Sequence, residues 1–484
     1  MIYLVGILGL IAGSLALAPG AVTITLCCAI GTGAGAWIIY GFVNHTLELR
    51  LTWIMAATLL MGYCGYTIFN EVAAVLDGQG VLAYIGVETD WAAYALLLVM
   101  LACIVLLLAG WAEPPMIGEQ HIVALSGKQE RFLWFGLALT ALSYFRGDNT
   151  FGGTVSEVGS GKVDAFGSLV ATITPVLFPL AVIGIIQSSG SRRLRFVVIG
   201  LLSTLMMATY GRRMMISMIL ITFIAASVLA GRKWRPKWHL SGAWKAMLGL
   251  IAVPVLAASS YFFYGLRMAT WEMGEGTHTI GSIVETAEVT TFRSPSEIVH
   301  KLSENQSDRT AFAIRYLSWL ARGGNTPSPM MGADVVQGAK MTVPDAVYHL
   351  FGASKDPIRH IGEEEDVANE HFGLPDEDMA NSILTSGVID FGLAGVLGYP
   401  LLLCFLARLV LSLASKVLNS EGQIVLILAM IIQFSQSENS VGGYLMDLRD
   451  IATLGLVWWI LSWLPALTGR RHRAATYREE FAGG

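Results

Sequence analysis

The chain has 484 residues, of which 54% are hydrophobic and only 14% charged, and its formal net charge is −5. Soluble domains usually carry about 25% charged residues, so that composition, with a mean hydropathy of +0.59, excludes an ordinary soluble fold. The apolar residues come in uninterrupted runs close to the roughly 20 that a helix needs to span hydrocarbon, and no amphipathic strand pattern points to an outer-membrane barrel.

The N-terminus, MIYLVGILGLIAGSLALAPGA, has small residues near Ala16 to Ala18 that imitate a signal peptide. It lacks a basic n-region and sets Pro19 where cleavage would fall, so it reads as a first membrane helix. Twelve spans follow in order, at about 2–18, 21–43, 52–69, 92–111, 132–146, 166–187, 195–210, 213–230, 245–264, 385–412, 422–435 and 451–468. Gly31 and Gly35 form a GxxxG, and Gly392, Gly395 and Gly398 line one face of the tenth span; close helix packing explains both sets. All five cysteines (Cys27, Cys28, Cys64, Cys103, Cys404) fall inside apolar runs without paired spacing, which predicts neither a disulfide nor a metal site.

Orientation follows from loop charge. With the N-terminus inside, the inner connections and the tail hold 17 Lys and Arg residues and the short outer connections hold 5, namely Arg146, Lys162, Arg212, Arg213 and Arg449. Both termini are therefore expected in the cytoplasm of a bacterium, with the chain multi-pass in the inner membrane. The domain organisation is then 1–264 (spans one to nine), 265–384 (a large periplasmic loop), 385–469 (spans ten to twelve) and 470–484 (a basic cytoplasmic tail). The expected fold is all-α and polytopic, with about twelve transmembrane helices.

The loop 265–384 holds 18 acidic residues, 9 basic residues and five of the nine histidines. A loop of this length inside a compact protein is usually functional, and amphipathic helices are expected in it. In DRTAFAIRYLSWLARGG, Arg315, Ser318 and Arg322 share one helical face, opposite Phe312, Tyr316, Trp319 and Leu320. Such a helix would lie along the outer membrane surface and present its arginines to headgroups or to a lipid-linked substrate.

Two constellations carry chemistry. In ATYGRRMMIS, Arg212 and Arg213 stand at an outer boundary where this protein otherwise avoids positive charge. Guanidinium forks suit phosphate oxygens, and the start of the eighth helix adds free N–H groups and its positive dipole end. A plain reading remains beside this one: both arginines snorkel and anchor helix ends. In EEEDVANEHFGLPDEDMANSILTSGVIDFG, acidic groups and His371 precede the tenth span, either as a solvated surface or as a general base and saccharide site. His349, His360 and His371 lack the short spacing of a zinc motif, so no metal is assigned. Intramembrane acids of the kind that relay protons are few, Asp390 being the clearest. No P-loop, no GxGxxG after a strand and no GxSxG occur.

Three features in order resemble the O-antigen polymerase (Wzy-like) family of repeat-unit polymerases, with O-antigen ligases as relatives. They are TYGRRMM at an outer helix start, the arginine helix with its following glycine and proline segment, and the glycine-rich re-entry MANSILTSGVIDFGLAGVLGYP. The resemblance covers about residues 195–412. It implies a metal-independent and cofactor-free glycosyltransferase of exopolysaccharide or O-antigen biosynthesis, working on the periplasmic face. A polyprenyl diphosphate-linked oligosaccharide is the donor, and the lipid diphosphate leaves. The partners implied are that lipid-linked oligosaccharide, the bilayer and a chain-length regulator (co-polymerase), with no nucleic acid. On the matching positions, Arg212, Arg213, Arg309, Arg315 and Arg322 become diphosphate contacts. The ligases place a histidine just before the final glycine-rich span, where this chain reads MAN, so His371 shares the base role with Asp376, Glu377 and Asp378. A ligase-type transferase and a lipid-linked oligosaccharide flippase are the alternatives. A transporter should show inverted repeats and interrupted helices at the midplane.

Overall fold

In a computed structural model, the described residues are 1–44, 46–76, 86–116, 127–146, 165–208, 280–288, 313–321, 328–354, 364–374 and 381–463, with isolated positions between them. The regular structure among these residues is helical apart from a two-residue antiparallel pairing of Asn149–Thr150 with Gly153–Thr154. In chain order the helices are α1 (Ile2–Leu17), α2 (Ala21–Val43), α3 (Leu51–Leu59), α4 (Tyr66–Leu76), α5 (Thr89–Ala112), α6 (Gly127–Arg146), α7 (Ala165–Gln187) and α8 (Gly190–Ala208). They continue with α9 (Ile280–Thr286), α10 (313–321), α11 (Ala333–Thr342), α12 (Asp345–Leu350), α13 (Glu364–Phe372), α14 (Ile383–Phe391), α15 (Leu393–Val417), α16 (Ser420–Phe434) and α17 (Val441–Trp463).

Four segments among the described residues are long and apolar enough to cross a membrane: Ala21–Val43, Leu51–Val72, Thr89–Ala112 and Leu393–Val417. Ile2–Leu17, Thr172–Gln187 and Ser420–Phe434 are shorter apolar helices. This is a helical membrane protein. The proposed eighth and ninth spans and the tail lie outside the described residues.

One expected span changes helix type part-way and another is broken. Between α3 and α4 the backbone widens into a π-helical turn, Leu60–Gly65, so the third span is continuous only as an α–π–α segment. The tenth expected span, 385–412, is two helices. Gly392 takes φ +59° and ψ −136°, a conformation open to glycine and hostile to residues with a Cβ, and the chain reverses there. α14 folds back on α15, and the two backbones touch: a Cβ on Gly395 would lie 2.1 Å from the Gly387 carbonyl oxygen. Gly31 and Gly35 pack as expected, since a Cβ on Gly31 would meet the Cys64 Sγ at 2.7 Å and one on Gly35 the Met61 side chain at 3.0 Å. The glycines of the tenth span divide differently from expectation. Gly395 packs, Gly392 makes the turn, and Gly398 faces open space. All five cysteines are free and buried.

One end of the bundle is tied by charge. The first N–H groups of α3 have no partners of their own, as at any helix start, and the carboxylate of Glu113, just past α5, caps them. It accepts from Leu51 N (2.9 Å), Thr52 N (3.0 Å) and Thr52 Oγ1 (2.7 Å). Arg50 reaches back to the carbonyls of Gly110 and Trp111 at the end of α5, where a cation suits the negative helix terminus. Arg408 of α15 comes within 3.6 Å of Glu113, and Arg192 and Arg195 of α8 pair with Glu130 of α6. Glu113→Ala removes a charged cap whose remaining partners stay buried, and should lower stability by about 2 kcal/mol. Unfolding by denaturant titration in detergent measures it, and an unchanged midpoint would contradict the cap.

Candidate functional site

The polar groups of the other end converge on the reversed pair α14–α15. Residues 382–391 read SILTSGVIDF, apolar apart from a serine-threonine start and one aspartate. Every residue from Ile383 to Asp390 is buried. The start is closed by a capping box: Ser382 Oγ accepts from Leu384 N and Thr385 N, and Thr385 Oγ1 accepts from Ser382 N. The Asn381 side chain accepts from Ser382 N at 2.9 Å. A helix that begins inside the protein needs this, because no water is at hand to meet its free donors.

That start stands against the π turn. Tyr63 OH and Ser382 Oγ are 2.5 Å apart, and Ser386 Oγ accepts from Val441 N at 3.3 Å. Between α16 and α17 the chain runs SQSENS, a polar hexad seated on the same turn. A Cβ at Gly62 would lie 2.3 Å from the Ser437 Cβ, so the glycine lets the hexad in. Tyr444 OH donates to the Gln436 carbonyl at 2.7 Å, and Asn439 Nδ2 to Asp447 Oδ2 at 2.7 Å. The interrupted span, the half-helix and the polar hexad thus meet in one cluster.

Over this cluster lies α11. Met330 N and Met331 N donate to the carbonyls of Ile389 and Asp390 at the end of α14, at 2.8 and 2.9 Å. Met331 (φ +54°) and Gly332 (φ +93°) then turn the chain into α11. The Asp390 carboxylate accepts from Asp334 N and Val335 N, both at 2.9 Å, and from Tyr399 OH at 2.5 Å. At the far end of α11, Arg449 NH1 donates to the Thr342 carbonyl at 2.7 Å. A carboxylate at the helix N-terminus and a guanidinium at its C-terminus both suit the macrodipole, and they pin α11 between α14 and α17. Asp390 is the clearest of the few intramembrane acids in the sequence. Its three donors give it a structural duty, which sequence spacing alone does not disclose because the two backbone partners lie 55 and 56 residues away.

α10 departs from expectation in its surroundings. Ala313, Ile314, Tyr316, Leu317 and Leu320 are buried as an apolar side requires, but Ser318 is buried as well and bonds back to the Ile314 carbonyl at 2.6 Å. The helix is therefore embedded among other elements and does not lie along a surface with Ser318 on its outer face. Arg315 is half-buried, and its guanidinium stands against Gly86 in the segment before α5: a Cβ there would sit 3.4 Å from one of its terminal nitrogens. Tyr316 OH donates to Asn369 Oδ1 at 3.1 Å and joins α10 to α13. His371 follows on α13, exposed, with Nε2 3.1 Å from the Ser328 carbonyl and its ring edge-on to Phe372. A carbonyl oxygen only accepts, so Nε2 is the donor in this bond.

Of the expected site residues, Arg315 and His371 are thus brought onto two helices joined by Tyr316 and Asn369. Arg212, Arg213, Arg309, Arg322, Asp376, Glu377 and Asp378 lie outside the described residues. His349 stands on α12 and His371 on α13, and among the described residues no three His, Cys, Asp or Glu side chains gather as metal ligands. Comparison with protein families, with curated proteins and with solved structures finds no match for this chain. Sequence reasoning missed Tyr63, Ser382 and the SQSENS hexad. The signal available was a polar run between two strongly apolar spans, which reads as an ordinary loop until its partners are known.

Proposed function

We propose that this chain polymerises oligosaccharide repeat units carried on a polyprenyl diphosphate, with glycosyl transfer on the periplasmic side of the inner membrane. The observation that carries the reading is the arrangement of the long polar segment. Its helix α11 packs over the broken helix α14–α15, and the arginine and the histidine of the expected site stand on α10 and α13, which Tyr316 and Asn369 join. A lipid-linked donor needs such a place: its diphosphate sits at the membrane boundary and its sugars in the polar layer above.

In the proposed reaction the hydroxyl of an acceptor sugar attacks the anomeric carbon of the donor. The bond to the lipid diphosphate breaks with its electron pair, and the acceptor proton passes to a base. His371, whose Nδ1 is the ring nitrogen not engaged with Ser328, would take that role, with Asp376, Glu377 and Asp378 as the other candidates. Arg315, with Arg212, Arg213, Arg309 and Arg322, would stabilise charge growing on the leaving diphosphate. A chain-length regulator would act as partner, and a ligase would differ only in its acceptor.

The test is reconstitution of the purified protein with an authentic lipid-linked repeat unit and without added metal. Ladders of polymer are expected. Arg315→Ala should slow their formation about 100-fold, the usual effect of losing one preorganised charge-stabilising donor. A folded protein that makes no polymer from an authentic donor overturns the reading. A second reading, a flippase for the same lipid-linked oligosaccharide, gains from the π turn and the α14–α15 break, since interrupted helices are a mark of transporters. Movement of the labelled lipid across a vesicle membrane without polymer growth would select it.

A further inference from the structure

At the opposite end of the bundle a cavity of about 230 Å3 opens between the end of α15 and the start of α16. Arg408, Ser412, Ser415 and Gln423 form its polar side, and Leu411 and Ile427 belong to its apolar side. The side chain of Arg408 is 23% exposed. Its Nε stands 3.6 Å from Glu113, beyond hydrogen-bond range, and among the described residues it has no hydrogen bond. Glu113 is already committed to three donors at the head of α3. The terminal nitrogens of Arg408 are therefore left as a cationic fork with unused donors.

Beside the cavity, α15 carries an exposed apolar face. Leu402, Phe405, Leu409 and Leu413 are 46%, 64%, 45% and 55% exposed. Their spacing of three and four residues makes one stripe along α15. Cationic and polar donors on a membrane helix, three residues from members of an exposed apolar stripe (Arg408 from Phe405, Ser412 from Leu409), match a molecule with an anionic head and an acyl tail. We infer that the cavity between α15 and α16 holds the phosphate headgroup of an anionic phospholipid, with its acyl chain along the α15 stripe. A free phosphate would use the arginine and leave the stripe idle.

Native mass spectrometry of the full chain in detergent tests this, with phosphatidylglycerol and phosphatidylcholine as probes and inorganic phosphate as competitor. One phosphatidylglycerol should bind selectively, because the choline cation of the other lipid already pairs with its own phosphate. Arg408→Gln should weaken that binding about fivefold or more, the scale of one basic residue at a membrane surface. Ala414→Phe fills the cavity without touching the Glu113 pair and should abolish the selective adduct, so the question stays answerable if Arg408→Gln fails to fold. Unchanged binding in the folded variants overturns the inference. Displacement of the lipid by millimolar inorganic phosphate overturns it too, by assigning the cavity to a soluble anion. The polymerase reading is untouched by either result, because it concerns the other end of the molecule.

Discussion

Gly395→Ala should destabilise the protein by about 3 kcal/mol or prevent folding, whereas Gly398→Ala, three residues on in the same helix, should leave stability unchanged or raise it slightly. The contrast comes from the neighbour of each glycine. A methyl at 395 would sit 2.1 Å from the Gly387 carbonyl oxygen and 2.7 Å from the Gly387 carbonyl carbon. Backbone on both sides cannot rotate away as a side chain can, so α14 and α15 must separate. That separation would also pull Ser386 from Val441 N and Asp390 from α11, which spreads the cost. At Gly398 nothing lies within 4 Å, and alanine there only removes freedom from the unfolded chain. Denaturant titration of the two variants in one detergent measures the difference. Equal midpoints would show that the α14–α15 hairpin is not packed as described.

The second large effect belongs to Asp390. Asp390→Ala strands two backbone N–H groups and the Tyr399 phenol in a buried place, and should cost about 3 kcal/mol, the range for breaking a buried charged network by removing one partner. Asp390→Asn keeps the shape and one acceptor but turns an NH2 group toward a donor, so it should fall between alanine and the native protein. Tyr399→Phe removes a single donor and should cost about 1 kcal/mol. Hydrogen exchange at the first turn of α11 offers a local readout: it should speed up in Asp390→Ala and stay native in Tyr399→Phe. If the first turn of α11 exchanges at the native rate without Asp390, the carboxylate is not its cap. Activity should follow the same order, because α11 lies over the interrupted helix where transfer is proposed.

Much of the fold follows from hydropathy. Where apolar residues run for a full span, as in Thr89–Ala112, the helix follows from the chain alone, because hydrocarbon leaves the backbone no other partner than itself. Helix starts such as Ala21 after Pro19 and Gly20 were legible for the same reason. The grouping of basic residues was legible too, and the structure brings Arg50 and Arg408, read as lying on one side, to the same end of the bundle, Arg50 on the Gly110 and Trp111 carbonyls and Arg408 beside Glu113. The break at Gly392 was not. Its sequence, IDFGLAGVLGYP, is apolar enough for a continuous span, and the reversal depends on two helices finding each other through Gly387 and Gly395.

The candidate site divides along the same line. The sequence by itself determined a helical membrane protein with one long polar segment rich in acids and histidines, since transfer free energy is a property of each residue and sums along the chain. It also marked Arg315 and His371 by residue type and order. Only the tertiary structure decided that Asp390 caps α11, that Ser318 is buried, and that SQSENS rests on the π turn beside Tyr63. Those facts depend on pairings between segments distant in sequence, such as Tyr63 and Ser382, 319 residues apart. Local periodicity contains no information about which donor will meet which acceptor; that is settled when the helices pack and each buried polar group must find a partner.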